Sequence, residues 1–336
     1  MTQYPITLIP GDGIGPEVVT ATVRVLEATG ISFDWQTVAL NSSVMTQSRL
    51  TVPQKVIESI TKNKIAIKGP ISTPVGSGYV SPNMLLRQQL GLFASVRPAQ
   101  SIPGIASAVQ NLDVIVVREN TEDLYSGIEN EVEPGKVVAH KVITRRASER
   151  VARCAFELAV SQNRKKVTAL HKADIMKLSD GLFLESCRNI AKEFKDTTYN
   201  EVLIDSACTL LVVDPSQFDV IVTENMYGDI VSDLTSGLIG GLGLAGSVNI
   251  GADIKLYEAV HGSAPDIAGK AVANPTGLLM ASVMMLRSLG ETNAAAAIKT
   301  AVTGILAENK NVTPDLGGNA TTDQFIEAVI KRMGQQ

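Results

Sequence analysis

The chain has 336 residues, of which 45% are hydrophobic and 19% are charged, and its net charge is −4 at pH 7. These values are typical of a globular protein with one large or two moderate domains, and they argue against a nucleic-acid surface built on bulk positive charge. No apolar run reaches the roughly 18–20 residues that a membrane-spanning helix needs. The three cysteines are widely spaced and form no CxxC pair, which indicates a reducing compartment, no disulfide framework and no thiolate-bound zinc.

Short β-branched segments alternate with amphipathic helical patterns along the chain. The predicted strands are residues 6–9, 64–69, 113–120, 165–172 and 218–225, and a helix follows the first of them after GDGIG. Further helices are predicted to begin near Lys177 and Gly228. Near-continuous apolar strands flanked by helices indicate an α/β fold, with a mainly parallel sheet that is covered on both faces.

Residues 126–144 break this pattern, because their sequence SGIENEVEPGKVVAHKVIT alternates polar and apolar residues around proline and glycine. This alternation predicts a β-hairpin-like arm. An arm that is half apolar, with no obvious place in the main sheet, could pair with a second copy of the chain.

Two glycine-rich segments suggest a dinucleotide-binding loop but lack its context. GDGIG at residues 11–15 does not have the G-x-G-x-x-G spacing, and GLGLAG at residues 241–246 has the spacing but follows a helical pattern where a strand is required. We interpret the second segment as tight helix packing followed by a turn. A nicotinamide cofactor would therefore bind without the usual Rossmann loop.

Asp229 and Asp233 stand four residues apart in NMYGDIVSDL, which places both carboxylates on one face of a helix. One interpretation is a helix N-terminus, where Asp229 would cap the helix or complement its dipole, although this leaves Asp233 unexplained. The other is a site for Mg²⁺ or Mn²⁺, whose charge would remove the repulsion between the carboxylates. These two residues alone favour neither interpretation.

Further polar residues stand near the ends of predicted elements. Arg87, Arg97 and Arg118 could together cradle a polycarboxylate beside a metal ion, because guanidinium groups bind carboxylates bidentately. Lys172 ends a predicted strand, at the carboxyl edge where α/β sheets place their ligands. Tyr125 follows the polar run RENTED. Each of these residues, taken alone, is more commonly a packed or surface side chain.

Long ordered motifs give the sequence a family resemblance. They are VRENTEDLYSGIE (117–129), HKADIMKLSDGLF (171–183), NMYGDIVSDL (225–234) and YEAVHGSAPDIAGKAVANPT (257–276). With LIPGDGIGPEV at residue 8 and TPDLGGNATT at residue 313, the likeness covers nearly the whole chain. The sequence resembles the β-decarboxylating dehydrogenases that act on isocitrate, isopropylmalate, homoisocitrate or tartrate, and among them most closely the NAD-dependent isocitrate dehydrogenases.

The resemblance implies an isopropylmalate-dehydrogenase-like fold rather than a Rossmann fold. Its expected parts are a discontinuous, cofactor-binding large domain (1–95 and 245–336), a small domain with the dimer interface, metal and substrate (96–125 and 145–244), and a β clasp arm for dimerisation (126–144). It implies a homodimer or higher homo-oligomer with shared active sites. The net charge and the lack of a long apolar run predict no nucleic-acid or membrane partner. We expect a cytoplasmic protein, or a mitochondrial matrix protein if a leader has been removed.

The resemblance also assigns roles to the polar residues. Asp229 and Asp233 of one subunit, together with Asp205 of the partner subunit, would bind Mg²⁺ or Mn²⁺. Lys172 of the partner subunit would serve as the base, with a pKa depressed by the cation, and Tyr125 would supply a proton. The implied reaction is the NAD-dependent oxidative decarboxylation of isocitrate to 2-oxoglutarate and CO₂, a step of the tricarboxylic acid cycle, with the three arginines holding the substrate carboxylates.

The segment SPNMLLR predicts a helix start with Ser81 at the N-cap and Pro82 at the first position. In the isocitrate enzymes, a serine and an asparagine at the positions of Ser81 and Asn83 meet the γ-carboxylate. An isopropyl group would leave both side chains unpaired, at a cost of roughly 1–3 kcal/mol each. The resemblance therefore favours isocitrate as the substrate.

The loop HGSAPDIAG (261–269) resembles the adenosine-binding loop of the family. Asp266 and Ile267 stand where NADP-preferring members carry a lysine and a tyrosine, and a carboxylate favours the free ribose hydroxyls of NAD. Two further cofactor contacts, Ser72 and Glu258, are predicted nearer the nicotinamide. The residues predicted to line the adenine end are His261, Gly262, Ser263, Ala264 and Asn274.

Asp174 departs from the family pattern, since most members have HKAN where this chain has HKAD. An added carboxylate on the nicotinamide side could weaken cofactor binding or attract the cation. Two alternatives therefore stay open: a non-catalytic regulatory subunit of an isocitrate dehydrogenase, and an enzyme for homoisocitrate, 3-isopropylmalate or tartrate.

Overall fold

The computed structural model describes residues 3–47, 51–73 and 81–335, and its largest feature is a ten-stranded sheet. In chain order the strands of this sheet and of a separate hairpin are β1 (Gln3–Ile9), β2 (Ser32–Thr37), β3 (Ile65–Lys68), β4 (Ala94–Gln100), β5 (Asp113–Glu119), β6 (Glu129–Glu133), β7 (Lys136–Ala139), β8 (Lys166–His171), β9 (Thr198–Leu203), β10 (Val220–Thr223), β11 (Gly246–Ile250) and β12 (Lys255–Ala259).

Helices cover the sheet. They are α1 (Gly15–Glu27), α2 (Ser42–Gln47), α3 (Gln54–Asn63), α4 (Pro82–Gln89), α5 (Arg145–Ser161), α6 (Ser179–Ala191), α7 (Ile204–Val213), α8 (Asn225–Leu238), α9 (Thr276–Ser288), α10 (Thr292–Glu308) and α11 (Thr322–Met333). Within the described residues, no helix is long and apolar enough to cross a membrane.

The strand order is β2-β1-β3-β12-β11-β4-β5-β10-β8-β9. Two parallel blocks, β2-β1-β3-β12 and β5-β10-β8-β9, flank the pair β11 and β4. Because β11 is antiparallel to both neighbours and β4 is antiparallel to β5, the two blocks run in opposite directions. The predicted mainly parallel α/β sheet is confirmed. The proposed border between large and small domains would fall between β11 and β4, and this division stays a prediction.

All five predicted strands form, within one to three residues of their predicted ends. Strand β5 shows why its sequence is a near-continuous apolar run: residues 114–117 are buried from both faces, as a strand in the middle of a helix-covered sheet must be. Strands β2, β4, β9, β11 and β12 were not predicted. Three of them, β4, β11 and β12, each pair with a strand more than 100 residues away in the sequence.

Helix α6 begins at Ser179, two residues after its predicted start, and α8 begins at Asn225, three residues before its predicted start. The residue at the N-cap of α8 is Glu224, so Asp229 lies inside the helix. The interpretation of Asp229 as an N-terminal cap is therefore wrong.

The predicted hairpin arm is present as the antiparallel pair β6 and β7, and every residue of both strands is exposed. Its apolar residues Ile128, Val132 and Val137 are each at least 48% exposed. Among the described strands, β6 and β7 pair only with each other. The pairing of this arm with a second copy stays a prediction.

The two glycine-rich segments are packing elements. A Cβ at Gly13 would lie 1.9 Å from the carbonyl oxygen of Ser263, and one at Gly11 would lie 2.1 Å from that of Pro70. GDGIG thus brings the end of β1 against the loops around residues 70 and 263. Residues 242–244 form a short 3₁₀ helix before β11, which confirms the predicted turn after a packed helix.

Candidate active site

The face of α8 that carries Asp229 and Asp233 meets cationic side chains from two strands. Arg118, near the end of β5, donates to Asp229, and so does the hydroxyl of Tyr125. The Nη1 atom of Arg97 in β4 lies 3.3 Å from Oδ1 of Asp229 and 3.4 Å from Oδ1 of Asp233. Three of the predicted site residues, Arg97, Arg118 and Tyr125, thus converge on Asp229, through contacts between segments more than 100 residues apart.

Gly228 makes the approach of Arg118 possible. A Cβ at this position would lie 2.5 Å from Cγ of Arg118, whose side chain is only 1% exposed. Burial, together with Arg97 and Arg87, lowers the pKa of Arg118 to about 9. Its Nη2 atom is buried without a hydrogen-bond partner in the described part of the chain, so it can donate to a bound carboxylate.

The two aspartates have different electrostatic surroundings. Burial opposes ionisation of Asp229, but Arg118 and Arg97 outweigh it and hold its pKa below the usual range. Burial raises the pKa of Asp233; Arg97 lowers it, and the neighbouring Asp229 raises it further. Asp229 and Asp233 place two carboxylates on one helix face, and the charge of the first disfavours ionisation of the second. Such a pair of carboxylates suits a hard divalent cation.

A cavity of about 140 Å³ lies next to this face. Six predicted site residues line it: Asn83, Arg87, Arg97, Glu258, His261 and Gly262. The side-chain oxygen of Asn83 and Nε2 of His261 are buried and have no hydrogen-bond partner within the described ranges. A polar ligand in the cavity could satisfy both atoms, which would otherwise be costly to bury.

Lys68, at the end of β3, also lines the cavity and was missed by the sequence analysis. Its Nζ lies 2.6 Å from Oε2 of Glu258, and Asn249 donates to Oε1 of Glu258 at 2.7 Å. Burial opposes ionisation of Glu258, but Lys68 and Arg87 outweigh it and lower the pKa of Glu258 to about 2. The sequence did carry one sign of this residue, because a lysine ends the otherwise apolar strand IAIK.

The helix that carries Asn83 begins as predicted, with Ser81 at the N-cap and Pro82 at the first position. The Ser81 side chain makes no capping hydrogen bond and instead accepts one from the Thr73 hydroxyl at 3.2 Å. Capping alone therefore does not explain a serine at this position.

The remaining predicted cofactor residues lie on loops that GDGIG holds together. The hydroxyl oxygens of Ser72 and Ser263 are 2.7 Å apart, and Ile14 N–H donates to the backbone oxygen of Ser263 at 2.9 Å. In the same loop Ala264 has a φ of +38°, Asp266 is exposed and Ile267 is half-buried. The Asn274 amide donates to Asp315 at 2.9 Å, which ties this end of the loop to the C-terminal part of the chain.

Lys172 and Asp205 form a separate pair. Nζ of Lys172 lies 2.8 Å from Oδ1 of Asp205 and 3.4 Å from Oδ2 of Asp174. The hydrogen bond to Asp205 raises the pKa of Lys172, so the depressed pKa expected of a base beside a cation is not found in the single chain. No group of three or more acidic, histidine or cysteine residues that could hold a metal occurs in the described part of the chain, so Asp205 does not complete a carboxylate triad with Asp229 and Asp233 there.

The family model described as isocitrate/isopropylmalate dehydrogenase matches residues 5–329. The chain belongs to this family. The predicted resemblance and the fold class are thereby confirmed.

Three similar proteins are all named as isocitrate dehydrogenases or their subunits. The chain is 50% identical, over 98% of its length and 91% of the relative, to a mitochondrial regulatory subunit of the NAD isocitrate dehydrogenase of Dictyostelium discoideum. It is 47% identical, over 99% of its length and 89% of the relative, to a mitochondrial catalytic subunit of the NAD isocitrate dehydrogenase of Arabidopsis thaliana. The crystal structure of isocitrate dehydrogenase from Methylococcus capsulatus superposes with a TM-score of 0.94 at 47% identity, covering 98% of this chain and 99% of that one.

These names bear on two expectations from the sequence. Both curated relatives are mitochondrial, which does not support the cytoplasmic expectation and agrees with the alternative of the mitochondrial matrix. Both are also named as subunits, one regulatory and one catalytic, so the expected homo-oligomer finds no support in them.

Proposed function

We propose that this dehydrogenase catalyses the NAD-dependent oxidative decarboxylation of isocitrate to 2-oxoglutarate and CO₂, with Mg²⁺ or Mn²⁺ bound at Asp229 and Asp233. The observation that carries the proposal is the convergence of Arg97, Arg118 and Tyr125 on the carboxylate face of α8. A face with two acids, two arginines and a phenol suits a metal-bound polycarboxylate. The names of the relatives support isocitrate as the substrate and NAD as the oxidant.

The active site is completed by a second subunit. Lys172 and Asp205 pair with each other, and exposed apolar side chains occur on the segments that carry them and on α8. These apolar residues sit on the turn after Lys172, on α7 and on α8; they are Ile175, Leu178, Val212, Val213, Met226 and Ile230. Large apolar side chains exposed on these elements are typical of a subunit interface. Contact across it would carry Lys172 and Asp205 of one subunit to Asp229 and Asp233 of the other.

Substrate recognition falls to residues of the 140 Å³ cavity and its edge. Arg87, Arg97 and Arg118 hold the carboxylates, and the free Nη2 of Arg118 is one donor available for this purpose. Ser81 and Asn83, at the start of α4, meet the γ-carboxylate, because a hydroxyl and an amide can both donate to it. An isopropyl group in the same place would leave these donors unpaired, which disfavours 3-isopropylmalate.

Proton transfers are assigned to two side chains. Lys172 of the second subunit takes the proton of the substrate hydroxyl, and its separation from Asp205 on binding the metal would free it for this role. Tyr125 then donates a proton to C3, since burial and its hydrogen bond to Asp229 raise its pKa and keep it protonated at neutral pH. Bound metal would acidify the hydroxyl and stabilise negative charge on its oxygen, and bound NAD⁺ would take the hydride.

NAD is proposed to bind along residues 261–274, with the nicotinamide end toward Ser72 and Glu258. The exposed carboxylate of Asp266 can accept hydrogen bonds from the ribose hydroxyls and would repel a 2′-phosphate. The large and small domains and the dimerising role of the arm are part of this proposal. Residence in the mitochondrial matrix is proposed from the names of the curated relatives.

A substrate panel tests the function. The purified chain, supplied with Mn²⁺ and NAD⁺, is expected to form NADH from isocitrate and much less from homoisocitrate, 3-isopropylmalate or tartrate. Asp229→Asn should abolish turnover, whereas Asp34→Asn, an exposed aspartate on the edge strand β2, should leave it unchanged. No NADH from isocitrate, with a folded dimer present, would refute the proposal.

A regulatory subunit is the second candidate, because the relative at 50% identity bears that name. The contact between Asp174 and Lys172 also favours it, since a second carboxylate holds the proposed base. The two candidates differ in the isolated chain: a catalytic subunit turns over isocitrate alone, and a regulatory one does so only with a different subunit present. In the first case Asp174→Asn should preserve or raise turnover.

A further inference from the structure

A second cavity, of about 360 Å³, lies away from the active site. Its volume falls within the range of roughly 300–1,000 Å³ typical of small-molecule sites. The residues that line it are Pro98, Gln100, Ser101, Ile102, Pro103, Ile239, Leu244, Gly246, Met280, Val283, Met284, Arg287, Lys299 and Thr303. None of them lines the 140 Å³ active-site cavity, so the two cavities are separate.

The walls of this second cavity are apolar and adaptable. Ile102, Ile239 and Leu244 form one side, and Met280 and Met284 of α9 project from another. Methionine side chains are flexible and polarisable, so they adjust to an apolar body of varied shape. The polar hydroxyl of Ser101 is already used within the chain, because it donates to Val109 and accepts from Leu112 N–H.

Two cations stand at the cavity without a carboxylate beside them. Arg287 lies in the last turn of α9, and Lys299 of α10 donates to the side-chain oxygen of Gln100 at 2.9 Å. Among the described residues that line the cavity none is acidic, and neither cation forms an ion pair within the described ranges. Burial lowers the pKa of Lys299, and so does the positive charge of Arg287, which is therefore within electrostatic reach. Asp113 raises the pKa of Lys299, but its carboxylate is bound by Arg164.

We propose that this cavity binds a medium-chain aliphatic carboxylate, with its head group between Arg287 and Lys299 and its alkyl chain against the two methionines and Ile102. The guanidinium group offers two parallel donors that match one carboxylate. No acidic side chain among the described lining residues competes with a bound anion for Arg287 and Lys299. A bound carboxylate would therefore neutralise their positive charge. The apolar walls exclude a small hydrophilic anion as the preferred occupant, because it would leave them facing water.

Occupancy acts on the active site through two elements. Pro98 follows Arg97 directly in β4, and Ile239 caps the C-terminus of α8, the helix of Asp229 and Asp233. A ligand that contacts both residues and α9 also spans the junction of β4 with β11, where the two halves of the sheet reverse direction. The bound carboxylate therefore holds α8 against α9 and restricts its movement.

Isothermal titration with octanoate tests the site in the absence of isocitrate, metal and NAD, so its result is independent of the proposed reaction. We expect one site per chain, with acetate and octan-1-ol each at least about tenfold weaker, because each lacks either the tail or the charge. Arg287→Gln and Lys299→Gln should each weaken octanoate by about tenfold. Lys55→Gln, an exposed lysine on α3, is the matched control and should bind as the unaltered chain does.

Hydrogen exchange tests the coupling in the same samples. Octanoate should slow amide exchange in residues 225–239 in the unaltered chain and not in Lys299→Gln. Absence of octanoate binding, or equal binding to Arg287→Gln, Lys299→Gln and Lys55→Gln, overturns the site. Binding with unchanged exchange in α8 overturns the coupling.

Discussion

Gly228 offers a direct test of how the carboxylate face is assembled. In Gly228→Ala the new Cβ would stand 2.5 Å from Cγ and 2.6 Å from Cβ of Arg118, and 3.1 Å from Cγ2 of Thr223. Arg118 is almost fully buried and held by Asn225 at 2.9 Å, so it cannot turn away without breaking this bond. We expect either Arg118 or α8 to shift, and the contact between Arg118 and Asp229 to be lost.

The size of the effect follows from two opposing terms. Alanine is better than glycine in a helix interior by up to about 1 kcal/mol, whereas overpacking a buried site costs about 1–3 kcal/mol. Gly237→Ala is the matched control, because Gly237 lies in the same helix and its added Cβ would meet no atom within 4 Å. Gly228→Ala should therefore be about 1–3 kcal/mol less stable than Gly237→Ala, the cost of the overpacking alone.

Urea unfolding and steady-state kinetics measure the two consequences separately. Gly237→Ala should be as stable as the unaltered chain or slightly more so, with unchanged kcat. Gly228→Ala should lose both stability and kcat/KM for isocitrate, because Arg118 no longer positions Asp229. Equal stability and equal activity in the two variants would show that the close packing of Gly228 against Arg118 contributes to neither stability nor catalysis.

Three further predictions concern the proton donor, the buried ion pair and the arm. Tyr125→Phe should lower kcat by about 10²–10⁴-fold with an unchanged urea midpoint, since it removes a proton donor; an unchanged kcat contradicts the assignment. Lys68→Met should cost about 3–5 kcal/mol at pH 7, because it leaves Glu258 buried without its nearest cation. In the unaltered chain the ionised Glu258 stabilises the fold above its unfolded pKa of about 4.3, and this contribution is lost as the pH falls toward its folded pKa of about 2; Lys68→Met should flatten that acid dependence in urea melts from pH 2 to 7. Val137→Asp, on the exposed arm, should shift the gel-filtration peak from dimer to monomer, whereas Lys136→Ala beside it should not; an unshifted peak removes the arm from the interface.

Local sequence patterns predicted the elements that local forces specify. Residues 114–117 of β5 and 220–222 of β10 are apolar throughout and buried from both faces, so a window of a few residues identifies them as strands. The hairpin at 129–139 was identified by its alternation and its Pro-Gly turn. Strand β4 was missed because ASVRPAQ contains an arginine and a proline that only its neighbours explain: Arg97 faces α8, and the proline is paired with Ile115 in an antiparallel register.

The site was predicted through motifs, and its internal pairing was not. The spacing of Asp229 and Asp233 fixes their common face, whereas the helix start at Asn225 moved Asp229 from the cap to the interior. Lys68 went unrecognised because a lysine after a buried strand gives no sign of its partner until the parallel pairing of β3 with β12 places it beside Glu258.

The sequence by itself determined five strands of the sheet, the hairpin arm, the common face of the two carboxylates on α8, and the family to which the chain belongs. The tertiary structure decided the reversal of the sheet at β11 and β4, the convergence of Arg118 on Asp229 across 111 residues, and the separation of Lys172 and Asp205 from that face. The physical reason is the range of the interactions along the chain. Periodicity and propensity act over a few neighbouring residues, whereas an ion pair between distant segments forms only where the packing of strands and helices brings its two charges together.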